Sequence, residues 1–242
     1  MKMLLQSSTQ IPCLLLSLCL VFQQVPQGGA FQPAVAGASL LADEILSFWI
    51  EAGDGRPLSV CLPGGTCSTA VLLHNELKKL QARKIVEPLD IEVVVVPCVG
   101  DSAYARRQMM SLSSQIGEMA EDIPTILQPA PEEDDQFETL NYFTFGVPNK
   151  HILETFTKMR DEQGLVLDLI YGAAAWTVML RHWNTQLSAD LCFDPHNPLA
   201  GREIMYVHSG GLEGINSQLL RYKYEGLVAN DEIQLPGKKR KE

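Results

Sequence analysis

The chain has 242 residues, 46% of them apolar, with 19 Lys and Arg against 29 Asp and Glu for a net charge of −10. That apolar share is enough to bury a full core and excludes wholesale disorder; the length allows one large domain or two small ones, and the acidic balance argues against nucleic-acid binding, which needs a basic face. The 18 Gly and 14 Pro are ordinary, and the six cysteines (Cys13, Cys19, Cys61, Cys67, Cys98, Cys192) contain no CxxC pair, which speaks against a disulfide framework and a structural zinc site.

The N-terminus has two readings. Lys2 precedes an apolar stretch, Ile11 to Phe22, interrupted by Pro12 and Ser17. About a dozen residues is too short for a bilayer span and long enough for a signal-peptide core. Gly28-Gly29-Ala30 then offers small residues for a cut before Phe31, and a Phe after such a site resembles the cleavage motif of plastid presequences in algae with secondary plastids. The other reading makes Leu18 to Val25 a buried strand and Gln27-Gly28-Gly29 a turn. On that reading residues 1–24 are a divergent apolar strand remnant and a cytoplasmic location is expected; the first reading moves the protein into a secretory or plastid compartment. No later segment reads as a membrane span. Pro131 to Glu138, with five carboxylates, reads as an exposed loop, and residues 231–242, with Lys238, Lys239, Arg240 and Lys241, as a frayed basic tail.

Between these ends, strand-length apolar runs recur at Leu58 to Leu62, Ile91 to Val96, Thr125 to Leu127, Val166 to Ile170 and Ile204 to Val207. The run Ile91-Glu92-Val93-Val94-Val95-Val96 is β-branched and almost unbroken, as in a strand buried on both faces of a parallel sheet. Helical spacing fills the gaps: Ala38 to Glu51, Ser68 to Leu80, Asp101 to Met119, Asn149 to Glu162, Ala173 to Trp183 and Ser217 to Tyr224. Strands alternating with helices predict an α/β fold with a mostly parallel sheet flanked by helices. No internal repeat or long linker divides residues 25–230, so one compact domain is expected there.

The most informative segment is Leu62-Pro63-Gly64-Gly65-Thr66-Cys67-Ser68-Thr69-Ala70. A buried strand ends, two glycines free the backbone, and Thr66, Ser68 and Thr69 stand at a helix mouth, where unpaired N–H groups and the positive dipole end favour an anion. The spacing suits a phosphate monoester. It equally suits a plain glycine turn with a Ser/Thr cap. No Lys precedes the Ser/Thr as in a P-loop, and Gly64-Gly65 does not match GxGxxG.

Three further strand ends carry chemistry. In Val207-His208-Ser209-Gly210-Gly211-Leu212-Glu213-Gly214 a strand again ends with a small hydroxyl and paired glycines, here with Ser209 ahead of Gly210 and Gly211; His208 reads first as a hydrogen-bonded structural histidine and second as a base. Tyr171 stands where a strand gives way to a helix, either as an acid/base with a pKa lowered by a cationic neighbour or as a packed ring. Cys98 follows the strongest strand, and Cys67, at a helix start, has the better setting for a reactive thiol.

Taken together, VPQGGAF, LPGGTCSTA, VPCVGDSAY, PTIL, LDLIYGAAAW and YVHSGGLEG occur in the order found in the 1-aminocyclopropane-1-carboxylate deaminase and D-cysteine desulfhydrase family, from about Val25 to about Leu227. The chain resembles that family, whose members are pyridoxal 5'-phosphate enzymes of the tryptophan-synthase-β fold. The resemblance implies the larger domain of that fold. It implies a pyridoxal-phosphate-dependent lyase or deaminase that turns a small amino acid into a 2-oxo acid and ammonia. It also implies a cofactor phosphate on Gly64, Gly65, Thr66, Cys67, Ser68 and Thr69, Tyr171 as the active-site tyrosine, and Ser209 facing the pyridine nitrogen.

Two departures stand out. The family's Schiff-base lysine lies upstream of the phosphate loop in an Asn-Lys-x-Arg-Lys setting; here only Lys2 precedes Lys78. Without it the cofactor has no covalent anchor and proton abstraction no resident base. The expectation is a truncated chain, through an incomplete gene prediction, a non-catalytic pseudoenzyme that binds a phosphate compound or a partner, or a second chain that supplies the small domain. An exposed apolar face, and homodimerisation or aggregation through it, follows. Second, Cys67 replaces a glycine usual in that loop, which is expected to require a negative φ.

Overall fold

The computed structural model describes residues 27–83, 89–127, 143–188 and 197–229. The expected N-terminal strand or signal segment, the acidic run and the basic tail lie outside the described residues.

Among the described residues ten α-helices and β-strands follow in order: α1 (Val35–Ala52), β1 (Leu58–Gly64), α2 (Ser68–Arg83), β2 (Ile91–Pro97), α3 (Ser102–Gln115), β3 (Thr125–Ile126), α4 (Lys150–Gln163), α5 (Gly172–Ser188), β4 (Glu203–Tyr206) and α6 (Ile215–Tyr224). The sheet is parallel, in the order β3-β2-β1-β4, with Leu58 opposite both Ile91 and Glu203. This is the expected fold class, a parallel sheet with helices on both faces.

Strand alternation divides the core. Leu58, Val60, Leu62, Val93 and Val95 face α1, α2 and α3. Cys61, Val94 and Val96 face α4, α5 and α6. The split follows from right-handed crossovers. The chain steps outward from β1 to β2 to β3 with its helices on one face, then returns to the far side of β1 by way of the other. The strand order therefore reverses between β1 and β4, and in open parallel sheets the crevice beyond the carboxyl ends at such a reversal is where ligands bind.

The opposite ends of the same strands are tied by Arg202. Its Nε donates to Ser59 Oγ at 2.9 Å, its Nη1 and Nη2 to the Asp90 carboxylate at 2.8 and 2.9 Å, and Nη2 also to the Leu58 carbonyl at 2.9 Å. A planar fork that meets a carboxylate bidentately fixes register as well as charge.

Two sequence expectations need correction. Val166 to Ile170 is not a strand. The Asp168 carboxylate accepts hydrogen bonds from the N–H groups of Ile170, Tyr171 and Gly172, so the backbone curls into the start of α5 instead of extending. The third helix ends at Gln115 rather than near Met119, because Gly117 takes a left-handed turn at φ 81°. Gln32–Ala52 is long and apolar enough to cross a membrane by length and composition alone. Here Ala42, Ile45, Leu46 and Trp49 are buried in the core on one side of it, while Leu40, Phe48 and Ile50 are exposed.

Candidate functional site

The carboxyl end of β1 leads into Gly65, Thr66 and Cys67, and α2 begins at Ser68. The Cys67 carbonyl accepts the first helical bond, from the Val71 N–H at 3.1 Å, so Cys67 occupies the capping position. The N–H groups of the first turn have no acceptor within the helix. Thr66 Oγ1 and Ser68 Oγ lie 2.8 Å apart, a hydroxyl pair at the same mouth.

The second wall comes from the loop after β4. His208 shapes it: its Nδ1 accepts from the Gly210 N–H at 3.1 Å, which leaves Nε2 to donate to the Val166 carbonyl at 3.0 Å. With both ring nitrogens engaged, His208 is a structural clamp and not a free base. Gly210 and Gly211 then take left-handed φ values of 90° and 88°, which turn the loop back over the strand ends.

Tyr171 supplies the third wall. Its ring packs obliquely on Phe145, centroids 5.5 Å apart, and against Gly65. The short turn Gln27–Gly29 adds a fourth. Gly28 lies so close to Thr66 that a Cβ there would stand 2.2 Å from its Oγ1, so only glycine fits.

These walls enclose a cavity of about 370 Å³ whose lining includes Gly65, Thr66, Cys67, Ser68, Thr69, Tyr171 and Ser209, within the size range of small-ligand sites. Of the eight residues the sequence assigned to the site, seven therefore meet there, across three segments far apart in the chain. Gly64 does not line it. Gly64 is buried one residue below, against Val95 and the Cys67 sulfur, and its role is packing. The sequence marks Gln27 and Gly28 only as a turn; the close glycine contact with Thr66 is a tertiary feature with no local signal. A larger groove of about 810 Å³ along α4, by Leu219 and Leu227, mixes Lys150, Glu154, Lys158 and Asp161 and lies away from the strand ends.

The electrostatics revise three readings. Tyr171 has its pKa raised, by desolvation first and then by the fields of Cys98 and Asp168; no cation lowers it, and its hydroxyl keeps its proton at neutral pH. Burial pushes the Cys67 thiol up to about 11 despite its place at a helix start, and the Cys98 thiol up to about 12. Neither is a reactive nucleophile, since the thiolate is the reacting form. Finally, Cys67 has φ 59°. The expectation of a negative φ at this position is wrong: the loop keeps the left-handed shape a glycine would take, with a Cβ on it.

The residues present fit the phosphate end of pyridoxal phosphate. A hydroxyl pair, a helix mouth and a cradle that a Gly65 side chain would crowd converge on one cavity. Among the described lining residues there is no lysine; Lys78 pairs with Asp122, and Lys79 with Glu76 and Glu118, at the far end of α2.

No family model matches the chain, and no curated protein matches it by sequence. Its fold matches the crystal structure of an ACC deaminase homologue with a TM-score of 0.56 at 16% identity, over 84% of this chain and 53% of that one. The chain thus spans about half the length of that structure. The likeness establishes the fold, a mostly parallel α/β sheet flanked by helices.

Proposed function

We propose that this chain carries the cofactor-anchoring domain of a pyridoxal-phosphate-dependent lyase or deaminase acting on a small amino acid, of the D-cysteine desulfhydrase or 1-aminocyclopropane-1-carboxylate deaminase type. The observation that carries it is the convergence of residues 65–69, Tyr171 and Ser209 on one cavity at the strand-order reversal. The fold of an ACC deaminase homologue supports it.

On this reading the first turn of α2 and the Thr66–Ser68 hydroxyl pair hold the phosphate oxygens. Tyr171 walls the ring and, with its proton retained, donates rather than accepts at its hydroxyl. Ser209 offers a neutral hydroxyl to the ring nitrogen. The Gln27–Gly29 turn shields the phosphate from bulk water. When bound, the cofactor supplies a carbonyl and an electron-withdrawing ring that acidify the Cα–H of an amino acid.

A second reading is a non-catalytic module that binds a phosphate compound or a partner chain. It is favoured by the lack of a lysine among the described lining residues. One experiment separates the two: absorbance of the purified full chain with added pyridoxal phosphate, before and after borohydride, with inorganic phosphate as competitor. A band fixed by borohydride onto one lysine supports the enzyme. Phosphate-competable binding without fixation supports the module. No binding overturns both the enzyme and the phosphate-binding module.

A further inference from the structure

Asp168 does not line the cavity, yet it touches two of the walls that do, the Tyr171 turn and the loop after β4. It is 6% exposed. Oδ1 accepts from the N–H groups of Ile170 and Tyr171 at 2.9 and 2.7 Å, and Oδ2 from that of Gly172 at 2.7 Å. On its other side lies Gly211, two residues past Ser209, where a Cβ would stand 3.3 Å from both Cβ and Cγ of Asp168. An ordinary helix cap satisfies one or two amides of its own helix. Here one carboxylate saturates three amides around Tyr171, and its carbon frame seats the loop that carries Ser209.

We propose that Asp168 is a positioning residue that holds Tyr171 and Ser209 in register across the cavity, so that the aromatic part of the ligand is read through a side chain it never meets. This rests on the reading of the cavity as a cofactor site. It predicts a split. Inorganic phosphate, held by residues 66–69 alone, is indifferent to Asp168; pyridoxal phosphate, which also needs the Tyr171 and Ser209 walls, is not.

The test uses the full chain with Asp168→Asn, which keeps the size but replaces one acceptor oxygen by an NH2 donor, and Gly211→Ala, which presses a Cβ on Asp168 and strains a left-handed position of the loop itself. NMR amide shifts are followed at Ile170–Gly172 and at Ser209–Gly211, and affinities for inorganic phosphate and pyridoxal phosphate are measured. We expect Asp168→Asn to move amides on both walls and to weaken pyridoxal phosphate about tenfold with phosphate unchanged, and Gly211→Ala to move the amides at Ile170–Gly172 across the Asp168 contact. Shifts confined to Ile170–Gly172, or equal weakening of both ligands, make Asp168 a mere cap and overturn the proposal. If Asp168→Asn does not fold, Gly211→Ala decides alone, by whether the amides at Ile170–Gly172 respond to it. If the unmodified chain binds neither ligand, the cofactor reading fails, while the amide shifts still decide the coupling.

Discussion

The Tyr171 ring lies against the bare Cα of Gly65: a Cβ there would stand 3.2 Å from both its Cε1 and its hydroxyl oxygen. One residue earlier, a Cβ on Gly64 would meet Val95 Cγ2 at 2.6 Å and the Cys67 sulfur at 2.9 Å. The same substitution therefore has two outcomes. Gly65→Ala asks only that the Tyr171 ring give by a few tenths of an ångström, and it narrows the cavity. Ligand affinity is expected to fall while the melting temperature holds. Gly64→Ala overpacks the core and is expected to cost about 1–3 kcal/mol of stability. Thermal melts beside pyridoxal phosphate titrations check both; a Gly65→Ala variant that binds normally would place the ligand elsewhere.

Cys67 at φ 59° stores backbone strain in a loop whose shape the site requires. A non-glycine residue in this region costs of order 1–3 kcal/mol. Cys67→Gly removes that strain but also loses a buried side chain and gains unfolded-state entropy. The two sides offset, and the variant is expected within about 1 kcal/mol of the parent. Cys67→Val puts a β-branched residue where it is a genuine outlier and is expected to destabilise by several times as much, about 3 kcal/mol. Urea unfolding of the pair decides, and a stable valine variant would disprove the left-handed geometry.

Much of this was legible in the residues. The β-branched run from Ile91 to Val96 suits a doubly buried strand, which β2 is, and the paired glycines at the ends of β1 and β4 mark the strand ends by the cavity. What failed did so for tertiary or side-chain reasons. Val166 to Ile170 has strand composition, but the Asp168 carboxylate within it claims the amides of Ile170, Tyr171 and Gly172. The φ of Cys67 has no local signature, since the sequence shows a cysteine where the backbone behaves as glycine. The pairing of Gly28 with Thr66 joins residues 38 positions apart through a contact that only folding creates.

Three buried thiols give stability an alkaline limb. Burial raises Cys61 and Cys98 to about 12 and Cys67 to about 11, from an ordinary 9.0. In the unfolded chain they ionise near 9, so between pH 9 and about 11 the unfolded state binds fewer protons than the folded one. Stability is therefore fully present below pH 9 and is lost as pH rises, by up to about 1.4 kcal/mol per pH unit for each thiol. Tyr171 and Tyr222, also raised by burial, act in the same direction at higher pH. Denaturant unfolding from pH 7 to 10.5 is expected to show a flat region and then a decline, and Cys61, Cys67 and Cys98 should resist a thiol reagent at pH 8 until the protein unfolds.

The outer side of α1 exposes Leu40 and Phe48, 69% and 57% accessible, two turns apart on one stripe. Apolar side chains of this size left in water promote self-association. Concentration-dependent light scattering is expected from the parent chain, and Leu40→Glu combined with Phe48→Glu should lower it without shifting the melt, because neither side chain belongs to the core. A monodisperse monomer at all concentrations would count against it.

The charge of the ligand should be met without counter-charge. None of the described residues lining the cavity is ionised at neutral pH: beside Pro63 and Ala70 the set is glycine, hydroxyl and amide groups with one thiol and one phenol, both raised by burial. Binding then rests on short-range ion–dipole contacts, which salt screens far less than pairs of full charges. Affinity for pyridoxal phosphate is expected to change less than about threefold between low and high salt. Its pH dependence should follow the ligand's own second phosphate ionisation near about 6, rising as the dianion forms and staying level above it. Calorimetric titration at two salt concentrations and several pH values measures both. A steep salt dependence would mean that a cation from beyond the described lining reaches the phosphate, and the loop of Thr66 to Thr69 would then be only part of the anion site.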